Sequence, residues 1–202
     1  WLKQSIEGLE LCMKTQTYKD GVNFEASISY HRFVLELYSY STILCRINNI
    51  KLNDQFISSL FKKFNFVAAY IDHDGNAPQV GDNDDSRALI FEDNTNSNHS
   101  YLLNLGEHIF DYKFKSACNK RSNLTNIFLP KINKFKIDDC YIDFGNLQAQ
   151  EFKYGGATVL INSRIHTLIS YSPLGQNGKG GHNHIDFGSF TLSLDGIQIL
   201  GD

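Results

Sequence analysis

No stretch of the sequence stays apolar for the roughly 18 residues or more that a membrane-spanning helix needs. No signal-peptide pattern opens it either. These absences remove a helical membrane span and leave the compartment unread. Positive charge is also short: 19 Lys and Arg stand against 22 Asp and Glu, a formal net charge of -3. Such a chain has no global basic field to draw it to nucleic acid or an acidic bilayer, so an anionic partner has to be recognised at a local site. The cysteines Cys12, Cys45, Cys118 and Cys140 are widely spaced, with no Cys-x-x-Cys pair. They read as isolated buried thiols rather than as a disulfide framework or metal ligands. Asn98-His99-Ser100 and Asn123-Leu124-Thr125 match the glycosylation acceptor pattern, one that chance produces readily in an Asn-rich chain.

What is present is enough for one domain of ordinary size, or one whole and one partial domain. Leu2, Ile6, Leu9 and Met13 recur at helical spacing up to about Tyr18, where Asp20-Gly21 supplies a turn. A longer helix is expected from about Phe24 to Asn48, with two neighbouring apolar stripes that imply burial on more than one side. Asn53-Asp54 caps a third helix carrying Phe56, Leu60, Phe64 and Val67 inward. A fourth is expected from about Tyr101 to Cys118. Between the third and fourth lies a loop dense in turn formers and carboxylates, Gly75 to Arg87. Residues 119 to 148 read as short mixed structure and a linker.

Beyond about Phe152 the pattern changes to short β-branched runs broken by Gly, Pro and Asn: 157 to 161, 165 to 171, 187 to 194 and 197 to 200. Asp195-Gly196 is a two-residue hairpin signal. Helices first and strands second predict an α+β chain with the helical part over 1–150 and the strand-rich part over 151–202. Trp1 begins inside a helical pattern without a start methionine, and Asp202 stops just after a strand pattern. A fragment of a longer protein is expected.

Metal-capable and proton-transferring side chains gather at one spacing only, in Gly180-Gly181-His182-Asn183-His184-Ile185-Asp186-Phe187. In an extended strand His182, His184 and Asp186 share a face, followed on it by Gly188, Phe190, Leu192 and Leu194. Two imidazoles and a carboxylate at the edge of an apolar row need hydrogen bonds or a metal. The plain alternative is a surface strand whose polar start carries two histidines.

Three blocks in order, Asp20-Gly21-Val22-Asn23-Phe24-Glu25-Ala26-Ser27-Ile28-Ser29-Tyr30-His31, Pro78-Gln79-Val80-Gly81-Asp82-Asn83-Asp84 and Gly181-His182-Asn183-His184-Ile185-Asp186 through Gly196 to Asp202, resemble the heparinase II/III-like polysaccharide lyases. The resemblance implies an incomplete (α/α) toroid followed by part of an antiparallel β-sandwich, with the active cleft between them. It implies β-elimination on a uronic-acid-containing polysaccharide, an acidic glycan partner, and a periplasmic or secreted setting. Tyr30 matches the family's proton-transferring tyrosine and His182 its second acid/base residue. Asn23, Glu25, His31 and Arg87 match positions beside substrate, with helix N-terminal capping as the other reading of Asn23 and Glu25. His184 and Asp202 match ligands of a structural zinc, whose third family ligand lies further downstream; imidazole and carboxylate suit zinc. Asp82, Asn83 and Asp84 fit the family's acidic loop. The Asn-His motif that neutralises the substrate carboxylate in family members falls upstream of Trp1, so this stretch alone is expected to be poorly active.

The chemistry is consistent with the residue types. Removing the C5 proton of a uronate and protonating the 4-O leaving group takes one base and one acid, roles open to a histidine and a tyrosine. A catalytically silent glycan-binding or structural module of the same fold is the alternative. A cupin-like metal enzyme on His182-x-His184 fits less well, because Asp186 stands near where that pattern expects glutamate. Neither the glycan nor the oligomeric state is legible.

Overall fold

The computed structural model describes residues 1–90, 97–118, 121, 127–137 and 147–201. Four helices come first: α1 (Leu2–Gln16), α2 (Ile28–Ile47), α3 (Asp54–Tyr70) and α4 (Ser100–Ile109). Two short strands, β1 (Phe110–Asp111) and β2 (Phe135–Lys136), pair in parallel. A five-stranded antiparallel sheet closes the described chain, in the order β3 (Gln148–Phe152), β4 (Ala157–Ile161), β5 (Ile165–Ser170), β6 (Phe190–Leu194) and β7 (Ile197–Leu200). The chain is α+β in the order the sequence implies. The expected boundary between 150 and 151 falls inside β3.

Local chemistry sets the helix starts. Ala26 adopts a positive φ of 55°, which turns the chain before the helix. Ser27 then caps α2, its hydroxyl accepting from the Tyr30 amide at 3.3 Å, so the helix starts four residues later than the apolar stripe suggests. Asn53 caps α3 through its side-chain oxygen, which accepts from the Phe56 amide at 2.7 Å. The α4 pattern does not run to Cys118. The chain leaves the helix at Phe110 to pair with Phe135, and Phe110 and Phe114 pack on Phe61 and Phe64 at centroid distances of 5.3 Å for Phe61–Phe110 and 5.5 Å for Phe64–Phe114. Burying those rings from an extended segment outweighs continuing the helix.

One hydrophobic core spans both parts. Leu35, Leu60, Phe64 and Val67 of the helices join Phe152, Val159, Ile161 and Leu168 of the sheet, and the Phe66 and Phe152 rings meet at 4.7 Å. The Asp20 carboxylate accepts from the Tyr154 and Gly155 amides at 2.6 and 2.9 Å, tying the β3–β4 turn to the Asp20-Gly21 turn. At Gly155 a Cβ would lie 2.3 Å from Val22, so only glycine permits that approach. Cys45 and Cys118 are buried, whereas Cys12 is exposed on α1; Cys140 lies outside the described residues.

Candidate active site

Tyr30 lies in the first turn of α2, where the main chain is held from two directions. The Val80 carbonyl accepts from the Ile28 amide at 3.0 Å, and the Ser27 hydroxyl donates to the Asp82 carbonyl at 3.0 Å. The acidic loop 78–84 is thereby laid across the N-terminus of α2. The His182 segment docks onto the same loop from the sheet side. The Asp82 amide donates to the His182 carbonyl at 2.7 Å, and the Gly81 amide donates to the Asp186 carboxylate at 2.6 Å. Gly81 itself has φ +70° and leaves no room for a Cβ, which would lie 2.6 Å from the His182 carbonyl oxygen.

The strand expected at 187 begins only at Phe190, and His182, His184 and Asp186 sit in a loop. Gly180, Gly181 and Gly188 take positive φ there, which an extended strand does not allow. The two imidazoles nevertheless converge. His182 Nδ1 lies 2.9 Å from Asp82 Oδ2, and His184 Nε2 lies 2.6 Å from Asp82 Oδ1. One carboxylate therefore bridges both histidines. Those two hydrogen bonds hold the Asp82 carboxyl below the usual carboxylate range.

The Tyr30 and His182 rings stack, with centroids 3.6 Å apart and planes 18° apart. The Tyr30 hydroxyl donates to Asp84 Oδ2 at 3.1 Å. Burial raises the Tyr30 pKa first, followed by the hydrogen bond to Asp84 and the negative charges of Asp84, Asp82 and Glu25. The phenol is thus kept protonated. Asp84 is itself held low, first by the Ser86 hydroxyl and amide and then by Tyr30 and Arg32. A neutral His182 imidazole facing the Asp82 carboxylate through Nδ1 has its proton there and leaves Nε2 as an acceptor.

The other expected residues are distributed differently. His31 is buried inside the helical body, accepting from the Asn23 amide at Nδ1 (3.3 Å) and donating to the Lys63 carbonyl from Nε2 (3.2 Å). Desolvation pulls its pKa well below the ordinary value, so the ring is neutral and packed in the helical body, away from the Tyr30–His182 pair. Arg87, also expected beside substrate, is bound to the fully buried Glu36 at 2.8 Å and lies over the Tyr101 ring at 4.2 Å. Tyr101 and the Ala88 amide bond the same carboxylate at 2.5 and 2.6 Å, so the guanidinium is committed to the interior. Asn23 is buried and donates from Nδ2 to half-buried Glu25 at 3.3 Å, next to the tyrosine helix. Neither side chain caps that helix, a role Ser27 takes.

The described residues do not by themselves fit a zinc ion. His184 uses Nε2 on Asp82, Asp202 lies outside the described residues, and among those described no group of three or more His, Cys, Asp or Glu is arranged to hold a metal. The Asn98 amide is engaged as well, donating to the Asp74 carbonyl at 3.0 Å, while Asn123 lies outside the described residues. Sequence reasoning placed Asp82 and Asp84 in an acidic loop without seeing their partners. Their alternation with Asn83 was the available signal, since it sets the two carboxylates two residues apart.

Among the described residues no helix is long and apolar enough to cross a membrane. No curated protein sequence matches the chain significantly. Solved structures do. Heparinase III aligns over 100% of this chain and 30% of its own at 18% identity and a TM-score of 0.67. The heparan sulfate lyase HepC from Pedobacter heparinus aligns over 100% of this chain and 28% of its own at 16% identity and a TM-score of 0.66. At such identities the likeness is one of fold, and the chain spans under a third of the length of these structures. The family model for the heparinase II/III N-terminus matches residues 1–104, so the chain belongs to the heparinase II/III family.

Proposed function

We propose that this chain carries the proton-transfer half of a polysaccharide lyase site, with Tyr30 as the general acid and His182 as the general base of a β-elimination on a uronate. The observation that carries the reading is the stacked Tyr30–His182 pair, each member backed by its own aspartate. His182, oriented through Nδ1 by Asp82, presents Nε2 to take the C5 proton. Tyr30, kept neutral by its surroundings, hands its hydroxyl proton to the departing 4-O atom. The C4–O bond then breaks as the C4–C5 double bond forms, and no water is added. A proton donor and a proton acceptor held in contact are what acid–base elimination needs. In this reading the helices form part of an (α/α) toroid and the sheet part of a sandwich, with the reacting pair where they meet.

A uronate also needs its carboxylate neutralised. Arg32 donates to the Asp84 and Ser86 carbonyls at 2.6 and 3.0 Å, and Arg87 is paired with Glu36, so both guanidiniums flanking the acidic loop face protein acceptors. The resemblance assigns neutralisation to a motif upstream of Trp1. The commitment of both guanidiniums also favours a second reading, a glycan-binding module without turnover. The two are separated by incubating the gene product that carries this chain with a panel of uronic-acid polysaccharides. Elimination gives an ultraviolet-absorbing unsaturated uronate and fragments whose masses sum to that of the substrate. Fragments heavier by one water sink the elimination reading, and binding without cleavage on any glycan selects the silent module.

A further inference from the structure

On the other side of the acidic loop from Tyr30 and His182 lies a cavity of about 370 Å³, within the size range of about 300–1,000 Å³ usual for small-molecule pockets. It opens between the start of α2, the end of α3, residues 76–79 and the last three strands. Tyr30, His182 and His184 do not line it, though Ser29 and Asn83, chain neighbours of the reacting cluster, do. We propose that this cavity binds one uncharged sugar unit, at a site distinct from the Tyr30–His182 pair.

The lining argues for that class. Its buried floor is polar: Tyr70, Asp72, His99, His166 and Ser193. The Tyr70 hydroxyl and His99 Nδ1 are 2.9 Å apart. His166 Nε2 lies 2.8 Å from the Ala69 carbonyl, which can only accept, so Nε2 carries the proton and Nδ1 is an acceptor. Burial lowers the His166 pKa and keeps the ring neutral. Among the described residues no Lys or Arg lines the cavity. The one carboxylate among the described lining residues, Asp72, already accepts at Oδ1 from the Asp74 and Asn76 amides at 2.9 and 2.8 Å. An anionic group entering here would meet a carboxylate and no cation, losing solvation without compensation. A sugar is met on favourable terms, because its hydroxyls donate and accept and the rim offers the amides of Gln79, Asn83 and Gln198 with the hydroxyl of Thr191. Ile28, Ala77 and Pro78 supply an apolar wall for a pyranose face. The choice of a sugar over another uncharged polar molecule rests on the lyase reading, whereas the cavity and its charge do not.

Calorimetric titration of the gene product that carries this chain with N-acetylglucosamine and with glucuronic acid tests the assignment without any turnover. The neutral sugar is expected to bind weakly, on the order of millimolar, and glucuronic acid about tenfold more weakly still. Thr191→Phe, which fills the cavity, is expected to weaken the neutral sugar about tenfold; Gln198→Ala, at an exposed rim position, about threefold. Tyr30→Phe is expected to leave binding unchanged. No binding of N-acetylglucosamine, equal binding of glucuronic acid, undiminished binding in both pocket variants, or loss of binding in Tyr30→Phe each overturns the site. Binding without elimination removes the lyase reading and keeps the pocket, while elimination without binding removes the pocket alone.

Discussion

Lys63 is fully buried in α3, its Nζ has no hydrogen-bond partner among the described residues, and it lies 5.9 Å from the centroid of the Tyr38 ring. Desolvation lowers its pKa from 10.5 to about 7, with the charge of Glu25 opposing. The folded chain therefore releases this proton near 7 while the unfolded chain holds it to about 10.5, so stability rises with pH between the two and is lowest below about 7. Lys63→Met is expected to remove a slope of up to about 1.4 kcal/mol per pH unit over that window, read from urea midpoints across it. An unchanged slope in the variant contradicts the burial. Tyr30 gives a second pH signature, of opposite chemistry. Its phenol stays protonated above the ordinary tyrosine range through burial and the carboxylate of Asp84. Asp84→Asn removes one of those causes, so the alkaline limb of the elimination rate is expected to move to lower pH. A limb that stays in place means Tyr30 is not the proton donor.

The element that decides the site is the loop 78–84, gripped by α2 on one side and the His182 segment on the other. Gly81→Ala forces a Cβ against the His182 carbonyl and Ser27 at a backbone angle that disfavours any side chain. Displacing the loop by about an ångström is expected to cost about 100-fold in turnover with the helical circular dichroism unchanged. Wild-type turnover in that variant would show that the loop does not set the pair. Much at this scale is legible in the sequence. Asn53 announces the start of α3, Asp195-Gly196 joins β6 to β7, and β4 falls on its β-branched run. The misses share a cause, which is partners distant in the chain. Gln148-Ala149-Gln150-Glu151 lacks β-branched residues and becomes a strand because β4 pairs with it. Phe110 leaves its helical pattern for a partner at Phe135. The histidines that spacing placed on one strand face meet instead through Asp82, a hundred residues earlier. His31 and Arg87 were adjacent to the right motifs but faced inward, a direction the motif does not encode.

At the scale of the whole molecule, the proposed function depends on the helices and sheet holding one relative position, since Tyr30 comes from one and His182 leads into the other. Polar and aromatic ties hold it, among them Asp20 to the β3–β4 turn, Phe66 to Phe152, and His166 to the Ala69 carbonyl. Asp20→Ala orphans two main-chain amides and is expected to cost about 1–3 kcal/mol in urea unfolding. A change well under that range would mean the apolar core alone fixes the two parts. The central claim is that Tyr30 and His182 together perform an elimination where the two parts meet, and the steady-state rates of the gene product, its Tyr30→Phe and its His182→Gln variants on one cleaved uronate glycan test it most directly. Each substitution is predicted to lower kcat by about 10²–10⁴-fold with KM within a few-fold, because the pair acts on the reacting atoms. Undiminished kcat in either variant would contradict the account.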